Sequence, residues 1–310
     1  MKNDINSLQA LLDKTGWTQT ELAQALSVSF ATINRWLHAH ASPQPGHRRA
    51  IARLYREYIG LPPIADADTT HLLERAERCR IDHWPHCWNG NAALERELIV
   101  DTTYNSNAIE GTTLSLRETE RLLYAHENPP HRPFLDQLLT ANYAAILKDI
   151  LNGNDILYPP SQASIQQLHQ RLFQGVRDDA GRYSVYPRGI VGLNIQLPYP
   201  EDIPEEMARL VETLARGPQA KSAVVFMAET HAAFELIHPF GDGNGRIGRL
   251  LLAMQCLAFG YPPLIIEKVR KIEYYEVLEE AQRRSSAHLV RFIVEELERT
   301  ATLIQKYRKG

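Results

Sequence analysis

Apolar residues recur every three or four positions through most of this chain, so helices are predicted along most of its length. Leu8, Leu11 and Leu12 space a first helix, and Gly16 closes it, because glycine adopts the left-handed C-terminal conformation at little cost. Thr18, with Glu21 three residues later, is a capping-box pattern that opens a second helix carrying Leu22, Ala23 and Leu26 on its inner face. A turn at Ser27–Ser29 leads to a third helix, Phe30 to His38, with Ile33, Trp36 and Leu37 apolar. Beyond Pro43, Pro45 and Gly46 a fourth runs from about His47 to Tyr58. The stretch GLPPIADAD, Gly60 to Asp68, is rich in proline and small acidic residues and reads as a boundary. The expected organisation is a small helical domain over 1–60, a linker and connecting helix over 61–91, and a larger domain over 92–310.

In the larger domain the same periodicity predicts helices over Ala92–Asn107, Leu114–His126, Phe134–Leu151, Ser164–Phe173 and Ile203–Ala215. Lys221–Ile237 is apolar on most faces and so central. Ile247–Phe259, Lys271–Arg284 and Leu289–Tyr307 complete the set. Residues 181–207 break the pattern with glycines, prolines and β-branched residues; Val185, Ile190, Val191 and Ile195 predict a short hairpin there.

Between the two most apolar helices lies HPFGDGNGRIGR, His238 to Arg249. Gly243 and Gly245 flank Asn244, so the backbone turns sharply and can bring bare N–H groups to a ligand. The loop feeds a helix N-terminus, a natural anion site. Arg246 and Arg249, three apart, share one face of that helix's first turn, where cations oppose the macrodipole. A polyphosphate lying between loop and arginines would account for them. Asp242 could hold a divalent metal on that phosphate, and His238 is a candidate base.

This stretch resembles the signature of the Fic (Fido) family, His-x-Phe-x-Asp/Glu-Gly-Asn-Gly-Arg-x-x-Arg, at every fixed position. The resemblance spans about residues 90 to 300. It implies an all-α fold, a Fic-type helical bundle with a short β-hairpin flap, here joined to a small N-terminal helix-turn-helix domain. It also implies a protein adenylyltransferase that moves AMP from ATP to a Ser, Thr or Tyr hydroxyl of a target protein or of itself. By that likeness His238 is the base, Asp242 holds Mg²⁺ and Arg246 steadies developing charge. Gly241, Gly243, Asn244 and Gly245 border the phosphates, Arg249 takes the γ-phosphate, and Tyr274 and Tyr275 lie near the adenine. SNAIEG, Ser106 to Gly111, resembles the family's inhibitory motif. Taken alone, Glu110 reads as a solvated glutamate near a helix end. The likeness makes Ser106, Glu110 and Gly111 an inhibitory element whose carboxylate pairs with Arg249, and a guanidinium cannot serve a carboxylate and a phosphate fully at once. The same glutamate could instead support the reverse reaction, removal of AMP. Residues 181–207 resemble the family's flap, which pins a target segment by strand addition, although the usual arginine after Tyr183 is Ser184 here.

TGWTQTELAQALSVSFATINRWL resembles phage-repressor-type helix-turn-helix domains. That likeness makes Phe30 to His38 a recognition helix, with Thr32, Asn34 and Arg35 facing the groove and Gln19 on a phosphate. DNA is then a partner, and useful affinity would need a homodimer. A DNA-binding regulator with an ATP-sensing core is the competing reading.

The formal net charge of −3 supplies no global basic field for nucleic acid or membrane. Three cysteines, Cys79, Cys87 and Cys256, argue against a disulfide framework and for a reducing compartment. With no signal-peptide core and no apolar run of spanning length, a cytoplasmic protein without a membrane partner is expected. Cys79, His83, His86 and Cys87 match no common zinc spacing, and His231 reads as a core histidine rather than a ligand.

Overall fold

Helix α1 (Lys2–Thr15), α2 (Gln19–Ala25), α3 (Phe30–Leu37) and α4 (Pro45–Tyr58) build the N-terminal unit. The Thr18–Glu21 box is formed, with the Glu21 N–H on Thr18 Oγ1 at 3.2 Å and the Thr18 N–H on Glu21 Oε2 at 2.7 Å. Ser29 caps α3 in the same way, accepting from the Thr32 N–H. Leu8, Leu11, Leu22, Ile33, Trp36 and Ile51 close one core. Each such buried side chain contributes about 1.5–3 kcal/mol relative to exposure. Pro45 sits in the first turn of α4, two residues before the predicted start, where its missing N–H costs nothing.

The structure, a computed structural model, describes residues 2–61, 64–81, 91–153, 158–189 and 195–308, and it divides into Met1–Pro63 and Ile64–Gly310. In the second unit, α5 (Asp66–Arg78) begins inside the stretch read as a boundary. Short acidic residues suit a helix N-terminus as well as a loop, so composition alone does not separate the two. Next come α6 (Ala92–Ile109), α7 (Leu116–Glu120), α8 (Phe134–Asn152), α9 (Gln162–Leu172) and α10 (Ile203–Arg216). They are followed by α11 (Ala223–Ile237), α12 (Asn244–Ala258), α13 (Lys271–Arg283) and α14 (Ala287–Arg308). Helix α11 packs on α10, α12, α13 and α14, as its apolar circumference requires. The helix predicted over 114–126 is shorter: after α7 the chain loosens into a single π-helical turn, Arg121–Ala125, and stops at left-handed His126. No described helix is long and apolar enough to cross a membrane.

The predicted hairpin is not seen in the described residues. Among the described residues there is no strand; Val185 lies in a bend and Ile195 in irregular chain. Ile190 and Val191 fall outside the described residues. His83, His86 and Cys87 also lie outside the described residues, while Cys79 and Cys256 are buried free thiols.

Candidate active site

The site forms where α11 ends and α12 begins. His238 caps α11 in the left-handed region, φ 50°, and the chain turns through Pro239–Asp242 into Gly243, φ 78°. Gly243 must be glycine: a Cβ there would stand 2.3 Å from Phe173 Cε2. Asn244 opens α12, and its side chain is committed to the loop. Its Oδ1 accepts from the Phe240 N–H at 2.9 Å, and its Nδ2 donates to the Phe240 carbonyl at 2.8 Å. The amide therefore shapes the turn, and only its backbone is left to meet a phosphate. Phe240 is fully buried and stacks on His169, with ring centroids 3.9 Å apart.

His169 was not singled out in the sequence, yet it holds the loop from beneath. Its Nδ1 accepts from the Gly181 N–H at 2.8 Å, which leaves the proton on Nε2, 3.1 Å from the Asp242 carbonyl. Burial pushes its pKa down to about 4 against the pull of that carbonyl, so it acts as a neutral strut. A signal existed. His169 stands four after Ile165 and three before Leu172, on the apolar face of α9.

The His238 Nδ1 lies 3.3 Å from the Glu235 carbonyl. A proton shared there leaves Nε2 bare and able to accept another. Burial lowers its pKa, only partly opposed by that backbone bond. Asp242 is half exposed; its Oδ1 accepts from the Gly243 N–H at 2.6 Å and from Arg246 Nη2 at 3.2 Å. No group of three or more metal-ligating side chains occurs among the described residues. One carboxylate facing a phosphate site still suits Mg²⁺, which keeps waters and takes its remaining oxygens from a polyphosphate.

Both signature arginines are buried. Arg246 lies over the Phe173 ring, 5.2 Å from its centroid, with Nε lacking a hydrogen-bond partner. Arg249 is held by the end of α6: Nε donates to Ser106 Oγ at 2.9 Å, and Nη2 donates to the Ser106 carbonyl at 2.9 Å and to Glu110 Oε1 at 2.6 Å. Its Nη1 is buried without a partner. An unsatisfied buried guanidinium nitrogen is expensive, and an anion arriving there would relieve it. Burial acts to raise the Glu110 pKa, but Arg249 and the other nearby cations prevail, so it lies below the ordinary carboxylate value. A Cβ on Gly245 would stand 2.3 Å from Glu110 Oε1, so the carboxylate rests against the glycine loop itself. Gly111 follows in a positive-φ turn, φ 96°, and Lys271 Nζ donates to the Ile109 carbonyl at 2.5 Å, closing the end of α6.

Tyr274 and Tyr275 separate in character. Tyr274 is 1% exposed and its hydroxyl meets His231 Nε2 at 2.7 Å, so it presents no surface to a nucleotide. Tyr275 is half-buried with the Lys271 ammonium 5.7 Å from its ring centroid. His231 is a core histidine, its pKa depressed to about 3 by burial and by Arg249.

Glu235 also went unread in the sequence. It is buried on α11 with Oε1 unpartnered, and a Cβ on Gly248 would stand 2.2 Å from that oxygen. Burial pushes its pKa up to about 8, against the pull of Arg249. The folded chain therefore keeps a proton that the unfolded chain releases, and stability falls as pH rises from about 4.5 towards 8. Glu235→Gln is expected to stabilise at pH 7 by on the order of 1–3 kcal/mol, with a gain that grows between pH 5 and 8. Thermal melts of both chains across that range check it, and a pH-independent difference would contradict it.

A glycine-rich turn, a helix N-terminus and two buried arginines, one held by a carboxylate, come together here, an arrangement whose chemistry suits a polyphosphate. Residues 159–256 match the Fic/DOC family model. Residues 8–59 match the helix-turn-helix model. The chain is 30% identical to the protein adenylyltransferase Fic of Nematostella vectensis, over 83% of this chain and 60% of that protein. It is 32% identical to that of Culex quinquefasciatus, over 88% and 54%. It thus spans little more than half the length of these relatives. A Fic-domain-containing signaling protein from Bacteroides thetaiotaomicron superposes with a TM-score of 0.66 at 25% identity, over 78% of this chain and 98% of that one. Fic-1 from C. elegans shares the fold, with a TM-score of 0.66 at 22% identity, over 94% and 85%.

Proposed function

We propose that this chain is a protein adenylyltransferase, transferring AMP from ATP to a Ser, Thr or Tyr hydroxyl of a protein, itself included, and that Glu110 restrains it. The observation that carries the reading is the 2.6 Å contact between Glu110 and Arg249, a carboxylate seated on a buried guanidinium that still has a free nitrogen. His238 Nε2 takes the proton as the hydroxyl oxygen attacks the α-phosphorus. The α–β phosphoanhydride bond breaks and pyrophosphate leaves. Backbone N–H groups at the start of α12 and Arg246 meet the charge that develops on the phosphate oxygens, and Arg249 holds the γ-phosphate. A magnesium ion, held by Asp242 and the phosphates, would offset charge on the leaving pyrophosphate. The test is label transfer from ATP marked on its α-phosphate to protein in a lysate with Mg²⁺, compared between the native chain and its Glu110→Gly variant. Removal of AMP from an already labelled protein, lost on Glu110→Gly, would instead favour the reverse reaction, with Glu110 positioning water.

The N-terminal unit supports DNA as a further partner. On α3, Phe30, Ala31 and Arg35 are exposed and Thr32 and Asn34 half-buried. The Asn34 Nδ2 donates to Gln19 Oε1 at 3.3 Å, and Thr32 is tied to the Ser29 cap. Those two side chains are pre-set, whereas Arg35 is the exposed cation placed to reach a base edge. Arg35→Ala in the full-length chain is expected to weaken operator binding by about 1–3 kcal/mol, or ~5- to 150-fold. Binding to any duplex should also fall steeply between 50 and 200 mM salt, on the order of the loss expected for several phosphate contacts. Salt-insensitive retention in a gel-shift series, or no retention at low salt, would remove DNA from the reading. A homodimer would place two such helices on successive major grooves.

A further inference from the structure

The last four carbonyls of a helix have no partner inside it, and at the end of α6 each of them is accounted for. The turn after the helix serves two. The Glu110 and Thr112 N–H groups donate to the Asn107 carbonyl, both at 3.1 Å, and the Gly111 N–H donates to the Ala108 carbonyl at 3.2 Å. The other two carbonyls meet cations from far along the chain. Arg249 Nη2 donates to the Ser106 carbonyl at 2.9 Å, and Lys271 Nζ donates to the Ile109 carbonyl at 2.5 Å. The last turn of α6 has no basic residue of its own. Its favourable cations are therefore both borrowed, one from α12 and one from α13.

Lys271 stands in an unfavourable place for its own helix. It is the first residue of α13, where a cation opposes the macrodipole. The same charge is favourable at the C-terminus of α6, whose carbonyl it holds. The chain just before it is fastened to α6 one turn earlier, where the Lys268 N–H donates to Asn105 Oδ1 at 2.9 Å. Arg270, between the two lysines, is anchored on Glu273, Glu295 and Glu296. The start of α13 is thus a fixed body against which the last turn of α6 is held. Ile109 immediately precedes Glu110, so the ammonium grips the backbone that carries the carboxylate rather than the carboxylate itself.

We infer that Lys271 is a positioning residue for Glu110: by holding the Ile109 carbonyl it keeps the last turn of α6 where the Glu110 carboxylate meets Arg249, and so strengthens the restraint on transfer. This rests on the reading that Glu110 restrains the enzyme. The restraint then has two supports of different kinds. Glu110 and Arg249 make the contact that a γ-phosphate has to displace, whereas Lys271 makes one that ATP need not touch. A turn freed from Lys271 leaves Arg249 at smaller cost, and transfer rises although every group that meets ATP is intact. A lysine that served the nucleotide directly, from its place 5.7 Å from the Tyr275 ring centroid, or one that served only the fold, would do the opposite. Its loss would lower transfer whichever residue stood at 110.

The experiment compares the full-length native chain with Lys271→Met, Lys271→Arg, Glu110→Gly and Glu110→Gly/Lys271→Met. ATP labelled on its α-phosphate, with Mg²⁺ and lysate protein, reports transfer, and the rate is followed against ATP concentration. Methionine keeps most of the side-chain length and removes the donor. Lys271→Met is expected to raise transfer about three- to tenfold over the native chain, less than Glu110→Gly does, because one charge-assisted hydrogen bond is exchanged for water at a half-buried site. Its KM for ATP should fall, since the γ-phosphate then displaces a less firmly held carboxylate. In the Glu110→Gly chain the same change should alter kcat and the KM for ATP by less than about twofold, because the group it positions is gone. Lys271→Arg keeps the charge and a donor and should stay within about twofold of native. Transfer not raised by Lys271→Met, release by Lys271→Arg as full as by Lys271→Met, or an equal change with and without Glu110 would each overturn the inference. Loss of transfer in both backgrounds would assign Lys271 to the fold or the nucleotide and overturn it too. If Glu110→Gly itself transfers no more than the native chain, the restraint reading fails and takes the inference with it. That outcome is distinct from failure of the inference alone, in which Glu110→Gly is released and Lys271→Met is not.

Discussion

Glu110→Gly should raise AMP transfer about ten- to hundredfold and, in the absence of nucleotide, lower the melting temperature of the chain. Both effects have one origin. Arg249 is 7% exposed, and Glu110 is the anion on its Nη2. A charged hydrogen bond of this kind contributes ~1.5–3 kcal/mol, which is ~10- to 100-fold on any equilibrium that must break it. An incoming γ-phosphate has to break it, or bind beside it in a distorted pose. Without the carboxylate, Arg249 keeps Ser106 on Nε and Nη2 but carries a buried charge with no anion, which is costly for folding. ATP with Mg²⁺ should restore the melting temperature by more than it raises that of the native chain, because it supplies the missing anion. Glycine suits the position, since Glu110 ends α6 at φ −83°, ψ 2°, and Gly111 already makes the left-handed turn. Glu110→Gln separates charge from volume: it fills the same space against Gly245 and should release less activity than glycine. Equal transfer by all three chains would remove Glu110 from the account. Loss of transfer with ATP affinity intact, accompanied by loss of AMP removal, would move it to the reverse reaction.

What could be read from the residues alone divides by distance along the chain. The loop from His238 to Arg249 could be read because its chemistry is local: glycines, an acid, an amide and two arginines within one turn and the start of one helix. The helices around it followed from the spacing of apolar residues, since period and burial are linked directly. Glu110 could not be read that way. Its partner lies 139 residues on, and nothing near Glu110 distinguishes it from a solvated glutamate; only the likeness of SNAIEG to a known motif pointed to Arg249. His169 and Glu235 were missed for a different reason. Both sit on inner faces of apolar helices, where a polar residue is the anomaly, and an apolar count passes over the exception. Asn244 shows a third limit. Its type suited a phosphate ligand, but the same amide closes the turn on Phe240, and only coordinates tell which bond is made. Of the predicted hairpin, Ile190 and Val191 lie outside the described residues, and the described part of 181–207 contains no strand.

His238→Ala in the Glu110→Gly chain should lower AMP transfer by about 10²–10⁴-fold while ATP affinity changes little. In the proposed reaction the imidazole serves the acceptor rather than the phosphates. Its Nδ1 rests against the Glu235 carbonyl, which leaves Nε2 to receive a proton. Burial and the Arg188 cation disfavour its charged form, outweighing the Glu235 carbonyl and the nearby Glu110 and Asp242 carboxylates, so its pKa lies below 6.5. At pH 7 it is therefore a free base. Transfer should be level through neutral pH and fall only on the acid side, below pH 6.5, as Nε2 becomes protonated. In Glu110→Gly the loss of that carboxylate removes a charge that favours the imidazolium, so the acid limb should shift further down rather than up. Alanine carries a complication, because residue 238 is left-handed, a region that histidine and asparagine occupy more readily than alanine. Asparagine tolerates that conformation and has no basic nitrogen. His238→Asn should thus be as inactive as His238→Ala yet melt closer to the parent. The acid limb attributed to His238 should be absent from whatever residual rate either variant shows. Full activity in His238→Asn would mean that the hydroxyl loses its proton elsewhere, and the left-handed cap alone would then explain why a histidine is tolerated at the end of α11.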